Sequence, residues 1–302
     1  MYDIAIIGAG PAGLTAAVYA RRAEKSVLVL EKETFGGQIT HSPKIENYPG
    51  TLQMSGNEFA EKLIEQAMAL GAEIELDEAL EIKNEDGFKK IIGENAVYEA
   101  KSVIIATGSK HRTLGAENEE SFVGHGVSYC AVCDGAFYRG KDVAVIGGGN
   151  TALQEAVMLS EICKKVTLVQ NLAFFTGEKK LLELLKKKPN VEFVTSSIVC
   201  ALDGNESLSS VRIMNTETNE EKTLFVDGVF VAIGQMPENE PFKAVSSLDD
   251  YGYIISGEEC ESGTDGIFVA GDCRTKRVRQ IATAVSDGAV AAVNACKYVD
   301  SL

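Results

Sequence analysis

"MYDIAIIGAGPAGLTAAVYARRAEKSVLVLEK", residues 1–32, decides how the rest of the chain is read. Residues 2–7 are largely apolar and rich in β-branched side chains, as in a strand. "GAGPAG" at 8–13 comes next, then a helix-like "LTAAVYARRA" and a second strand, "VLVLEK". This is a βαβ opening with a glycine fingerprint in its first turn. The glycines permit a tight turn and bring the backbone close to a pyrophosphate. The helix N-terminus meets the phosphates with unpaired N–H groups and a partial positive charge. Glu31 closes the second strand, where a carboxylate can grip a ribose hydroxyl.

The layout recurs further on. "DVAVIGGG" is a strand, "NTALQEAVMLSEI" a helix and "VTLVQ" a strand, with Gly147, Gly149 and Ala152 filling G-x-G-x-x-A. Alternating apolar and polar segments follow each unit: "AEIELDEALEIK" and "FKKIIGENAVYEA" in the first, "VEFVTSSIV", "SSVRIMNT" and "EKTLFVDG" in the second. They read as small antiparallel meanders. Each series ends in a buried strand with a glycine end, "VIIATG" at 103–108 and "VFVAIG" at 229–234. The chain therefore holds two related modules. A third strand, "GIFVAGD" at 266–272, and a small-residue helix after it complete the first sheet. The fold class is α/β: two Rossmann-like, three-layer ββα nucleotide-binding domains, the second inserted in the first. The expected division is 1–112 plus 244–302 for the outer domain and 113–243 for the inserted one. Two chain crossings at one place make a natural hinge.

The totals narrow the function. The chain has 302 residues, 45% hydrophobic and 24% charged, which suits a two-domain globular protein. A net charge of −15 argues against nucleic acid or an anionic membrane as partner. No apolar run suggests a membrane span, and the N-terminus enters a strand with no leader pattern, so a cytoplasmic location is expected. Seven cysteines are too few and too scattered for a disulfide scaffold. Cys163, Cys200, Cys260, Cys273 and Cys296 stand alone and read as small hydrophobes.

Cys130 and Cys133 differ, in "SYCAVCDGAF" at 128–137. Two intervening residues let the sulfurs close a small ring, and such pairs trade disulfides with other proteins. Asp134 sits beside Cys133 and could move a proton during exchange. The rival reading is half of a zinc site. It lacks two further ligands, because the chain has no second C-x-x-C and only His41, His111 and His125, so no metal is expected. His125 is near the pair as a candidate base or a solvated loop residue.

With these residues in place, the chain resembles the thioredoxin reductases of the low-molecular-weight flavoprotein type over nearly its whole length. "GAGPAG", "GGQITHSPKIENYPG", "VIIATG", "CAVCDG", "GGGNTA", "VAIG" and "GIFVAGD…RQIATA" carry the resemblance. It implies FAD in the first module and NADPH in the inserted one, a redox-active Cys130–Cys133 disulfide on the inserted domain, a thioredoxin-like protein as substrate and a homodimer. By position it implies Gly8, Gly10, Pro11, Ala12 and Gly13 at the FAD pyrophosphate and Glu31 at the ribose. Gly37, Gln38, Asn47, Ala106 and Thr107 would approach the flavin and ribityl region. Gly271, Asp272, Arg279, Gln280 and Ile281 would close the tail side. Cys130, Cys133 and Asp134 would be the catalytic group.

One departure changes the expected electron donor. NADPH-using members end the strand after the second glycine loop in a His-Arg-Arg run, with another arginine a few residues on. Here Gln170, Asn171 and Leu172 stand there, with Thr176 at the later position. The guanidinium groups that would fork onto a 2′-phosphate are absent, and no acidic residue takes their place for NADH. The resemblance then sharpens to the ferredoxin-dependent flavin thioredoxin reductases. "CRTKRVRQ" at 273–280, with Arg274, Lys276, Arg277 and Arg279, is the local basic patch that could steer an acidic ferredoxin. An NADPH- or NADH-dependent thioredoxin reductase, an oxygen-using dithiol oxidase and a redox sensor whose disulfide never turns over are the competing expectations.

Overall fold

The computed structural model describes residues 1–302. The chain divides into two compact units, Met1–Lys110 with Met236–Leu302, and His111–Gln235. The return point is Gln235/Met236 rather than 243/244. Phe242 and Val245 explain this, because they pack in the apolar core of the first unit beside Ile82 and Ile254.

The first unit opens with β1 (Tyr2–Ile7), α1 (Pro11–Arg22) and β2 (Val27–Glu31), as the glycine pattern predicts. Then come α2 (Gly56–Ala69), β3 (Glu73–Leu76), β4 (Ala79–Glu85), β5 (Phe88–Gly93) and β6 (Val97–Ile105). Ser55 and Glu58 form a capping box that starts α2. β1 lies between β2 and β6, parallel to both, with Ile4 opposite Val27 and Ser102. β6 does two jobs. Its first residues pair antiparallel with β5, and its last pair parallel with β1. One nine-residue strand thus joins the nucleotide-type sheet to the hairpin that follows.

The second unit repeats the plan with β7 (Val127–Ser128), α3 (Ala131–Asp134), β8 (Asp142–Ile146), α4 (Asn150–Ser160), β9 (Lys165–Val169), α5 (Lys179–Lys186) and β10 (Val191–Val194). β11 (Ser197–Gly204), β12 (Leu208–Asn215), β13 (Glu221–Phe225) and β14 (Gly228–Val231) follow. Its parallel sheet has the order β10-β9-β8-β14-β7, and β11-β12-β13 is a separate antiparallel sheet. One apolar cluster fills the space between the two sheets, with Val169, Leu202, Val211 and Val229. Another lies under the helices, with Val145, Leu153, Leu159 and Phe230.

The chain then returns to the first unit for β15 (Ile267–Val269), parallel to β6, and α6 (Ile281–Asp300). Helices cover one face of the first sheet through Ile4, Ile6, Leu14, Ala17 and Ala291. The hairpin strands cover the other through Leu28, Leu30, Ile82 and Ile91. Each unit is therefore helix, sheet and antiparallel sheet, the α/β class expected.

The meander expectation holds in part. Glu73–Leu76 and Val191–Val194, which open each alternating series, are parallel edge strands on β2 and β9. An alternating pattern reports one covered face and does not say which sheet the strand joins.

Candidate functional site

The short α3 carries the redox pair. Cys130 is its N-cap, and Cys130 and Cys133 are joined by a disulfide with their Cα atoms 5.3 Å apart. The turn is tightly wound: Cys130 Sγ accepts from Cys133 N at 3.2 Å, and Cys130 O accepts from Asp134 N at 3.0 Å. Val132, between the cysteines, is 62% exposed, and Cys130 and Cys133 themselves are half-buried. Ser128 anchors the turn from β7. Its Oγ accepts from Cys130 N at 3.1 Å and donates to Asp134 Oδ2 at 2.7 Å. Asp134 Oδ1 is enclosed and has no partner. Burial pushes the Asp134 carboxyl above its ordinary range, opposed by the Ser128 hydrogen bond. Asp134 is thus suited to holding a proton beside the sulfurs.

Two further groups at this turn escaped the sequence reading. Ser128 lies inside the quoted "SYCAVCD", but a serine there is unremarkable in sequence. Glu155 lies one turn into α4, and its Oε1 accepts from Ala131 N at 3.4 Å. His125 is an exposed loop residue, and its backbone N–H donates to Phe122 O at 2.9 Å.

The remaining cysteines separate from the pair. Cys163, Cys260, Cys273 and Cys296 are buried and Cys200 is half-buried. Burial pushes the Cys163, Cys260 and Cys273 thiols up to about 11, which keeps them protonated and inert.

In the first unit the glycine loop forms a cradle. Gly8 has φ +107°, and a Cβ on it would lie 2.4 Å from Ala106 O; one on Gly13 would lie 1.9 Å from Gly8 O. These contacts lock the loop on the strand ends, whereas a Cβ on Gly10 meets only Gly36 O at 3.9 Å, leaving open backbone. Pro11 starts α1, with Ala12 buried behind it. Glu31 is 9% exposed, and its carboxylate accepts from Ala9 N at 2.8 Å and Glu33 N at 2.9 Å. Gly37 closes on Gly10, and Gln38 after it is exposed. Thr107 Oγ1 donates to Asn239 Oδ1 at 3.1 Å.

The tail residues converge on the same loop. Gly271 has φ +83°, and a Cβ there would lie 2.9 Å from the Cβ of Ala12. Asn47 Nδ2 donates to Gln280 Oε1 at 3.0 Å, and Gln280 and Ile281 begin α6. Arg279 lies over the Tyr253 ring at 4.1 Å and donates to Asp272 O at 3.4 Å. Asp272 Oδ1 is enclosed without a partner. An open glycine cradle at a helix N-terminus, an acidic strand end and an orphaned carboxylate oxygen together fit a flavin dinucleotide.

The basic stretch 273–280 is less available than it reads. Asp287 accepts two bonds from Arg274, each at 2.8 Å, and one from Lys276 at 2.8 Å. The Arg274 and Lys276 side chains are 11% and 7% exposed. Burial raises the Asp287 carboxyl, but the two cations outweigh it and hold the group below its ordinary range. Arg277 is the exposed cation of the stretch.

The second glycine loop keeps the same frame. Gly147 has φ +136°, and its Cβ would lie 2.4 Å from Ala232 O. The end of β9 is different. Gln170 is 5% exposed and its amide lies against Gly148, where a Cβ would be 2.3 Å from Nε2. Its Nε2 donates to Phe174 O and its Oε1 accepts from Asn171 N. No lysine or arginine lies between Gln170 and Glu178. Leu172 and Phe174 are exposed there, at 41% and 63%.

Residues 2–288 match the family model described as pyridine nucleotide-disulphide oxidoreductase. A thioredoxin reductase of Listeria innocua is 39% identical over 303 residues, covering 100% of this chain and 95% of the relative. A 34.2 kDa protein in the rubredoxin operon of Clostridium pasteurianum is 42% identical over 298 residues, covering 98% and 97%. The crystal structure of a thioredoxin reductase from Streptococcus pyogenes superposes with a TM-score of 0.96 at 41% identity, covering 100% of this chain and 99% of that one. The chain belongs to the pyridine nucleotide-disulphide oxidoreductase family and, within it, to the thioredoxin reductases. It is a flavoprotein disulfide reductase whose cofactor is FAD.

Proposed function

We propose that the protein reduces a thioredoxin-like protein through Cys130 and Cys133, drawing electrons from reduced ferredoxin rather than from a pyridine nucleotide. The first unit, Met1–Lys110 with Met236–Leu302, would be the FAD domain, and the inserted one a nucleotide-type domain without its nucleotide. Gly8, Gly10, Pro11, Ala12 and Gly13 would hold the pyrophosphate, and Glu31 the ribose. Gly37, Gln38, Asn47, Ala106, Thr107, Gly271, Asp272, Arg279, Gln280 and Ile281 would hold the remainder. When bound, FAD supplies a centre that takes up electrons singly and passes them on in pairs.

The chain's own residues handle the sulfur chemistry. Opening the Cys130–Cys133 bond takes two electrons and two protons, and the partnerless Asp134 Oδ1 is a place where one of those protons can be held. The resulting dithiol attacks a partner disulfide through a thiolate and ends oxidised again, with the partner's two sulfurs reduced. The protein is expected to work as a homodimer in the cytoplasm.

The observation that carries the donor assignment is the neutral, buried Gln170 at the end of β9, followed by a loop without a cation. An NADPH 2′-phosphate there would lack the charged hydrogen bonds worth about 1.5–3 kcal/mol each. A second reading, a pyridine-nucleotide-dependent thioredoxin reductase, draws on the preserved frame of Gly147–Ala152. Calorimetric titration of the FAD-loaded protein with NADPH and NADH decides between them. The proposal expects no heat of binding up to millimolar nucleotide, and turnover of a thioredoxin disulfide on supply of reduced ferredoxin. Binding in the micromolar range with NADPH-supported turnover selects the second reading. Rapid oxygen uptake with a small dithiol would instead select an oxidase.

A further inference from the structure

Glu155 is a carboxyl that the sulfur chemistry above does not use. It projects from α4 against α3, and its Oε1 accepts from the backbone N–H of Ala131, the residue next to Cys130. Ala131 is 1% exposed, and Glu155 Oε2 is enclosed without a partner. A carboxyl is a costly way to fill such a place, since an apolar side chain would need no hydrogen bonds there. Its location within one residue of the disulfide gives it a use. We propose that Glu155 is a positioning residue that holds the α3 turn and sets how readily the dithiol formed from Cys130 and Cys133 loses a proton.

An ionised Glu155 places a buried negative charge against the backbone of Ala131, next to Cys130, so it opposes formation of a thiolate there. A protonated Glu155 does not. Burial pushes the Glu155 carboxyl up to about 7, opposed by the Ala131 hydrogen bond, so its charge changes near neutrality. Among the elements packed on α4, α3 carries Asp134, α5 carries Lys179, Lys180, Glu183 and Lys186, and β8 and β9 carry Asp142 and Lys165. None of these charges is among the causes of the Glu155 shift. The proposal rests on Cys130–Cys133 being the working disulfide and is independent of the electron donor.

The test uses the full-length, FAD-loaded protein, reduced with excess dithiothreitol. Alkylation of Cys130 and Cys133 by iodoacetamide is timed by mass spectrometry from pH 5.5 to 9 in wild type, Glu155→Gln and Glu155→Asp. Glu155→Gln and wild type are expected to react alike at pH 5.5, where both side chains are neutral. Above pH 7 the variant is expected to react several-fold faster, and Glu155→Asp to keep the wild-type pH profile. The wild type alone must show an inflection near pH 7 in addition to that of the thiol, which keeps the proposal testable if Glu155→Gln does not fold. Superimposable profiles, or a variant offset by the same factor at every pH, would assign Glu155 a packing role and overturn the proposal. A failure of ferredoxin to reduce the protein would leave these profiles unaffected.

Discussion

In the first module Gly36 N donates to Ala9 O at 2.9 Å; in the second, Thr176 N and Gly177 N donate to Gly148 O at 2.9 Å. Ala9 and Gly148 are the middle residues of the two glycine loops. Both modules therefore tie the chain after the second strand back onto the loop, and both hold their first glycine at positive φ against a carbonyl. They part at one position. Glu31 presents an ionisable carboxylate organised by two backbone amides, and Gln170 presents a neutral amide folded onto its own loop. The frame of a dinucleotide module is set by glycine sterics, and its ligand by a few side chains at the strand end. One can persist without the other.

The glycines allow the sharpest attack on this comparison. Gly8→Ala and Gly147→Ala each force a Cβ to about 2.4 Å from a backbone carbonyl at positive φ. Each should cost several kcal/mol, on the order of 3, in its own unit. Only Gly8→Ala should lose FAD, read as the visible spectrum of the purified protein. If Gly147→Ala also came off colourless while still folded by circular dichroism, the two loops would not be functionally distinct.

A second contrast is the Asp287 network, which belongs to the tail of the first unit. Asp287→Asn leaves Arg274 and Lys276 enclosed without their anion. A loss of roughly 3–5 kcal/mol in urea unfolding is expected. A loss below 1 kcal/mol would mean the two cations reach solvent and remain available to steer a partner.

Glu155 should leave its mark on stability as well. Its carboxyl, ordinarily near 4.5, is pushed to about 7 in the folded chain, so the folded state binds the extra proton. Stability attributable to this group is therefore full below about pH 4.5, falls as pH rises and levels off above about pH 7. Glu155→Gln should remove about 2–3 kcal/mol of that fall between pH 5 and 8, measured by chemical denaturation. An unchanged pH slope would show that the carboxyl ionises in the folded state as freely as in the unfolded one.

A gain-of-function change sharpens the comparison from the other side. Asn171→Arg with Leu172→Arg places two cations on the exposed end of β9. NADPH binding should appear or strengthen by about 1.5–3 kcal/mol per charged hydrogen bond made, measured by calorimetry. The smallest effect should come from Arg277→Glu. It should raise the KM for ferredoxin several-fold at low salt and little at 0.5 M salt, because an exposed charge acts through a screened field.

Much of this was legible in the sequence. The two glycine loops, their flanking strands, the return of "GIFVAGD" to the first sheet and the Cys130–Cys133 pair are local patterns with fixed spacing. Residues 73–76 and 191–194 were harder, since period-two alternation does not name the neighbouring strand. Arg274 and Lys276 read as surface charge because their partner, Asp287, lies on α6 and is joined to them only by folding. Glu155 was hidden for the same reason: a glutamate in an amphipathic helix reads as solvated until α3 is seen to close over it.

The absence of a cation at the end of β9 is the point on which the donor assignment turns. Anaerobic mixing of the oxidised yellow protein with NADPH, NADH or reduced ferredoxin, followed by flavin absorbance, tests it most directly. The account predicts rapid bleaching by ferredoxin and none by either nucleotide on the timescale of turnover. Full bleaching by micromolar NADPH within seconds would contradict it.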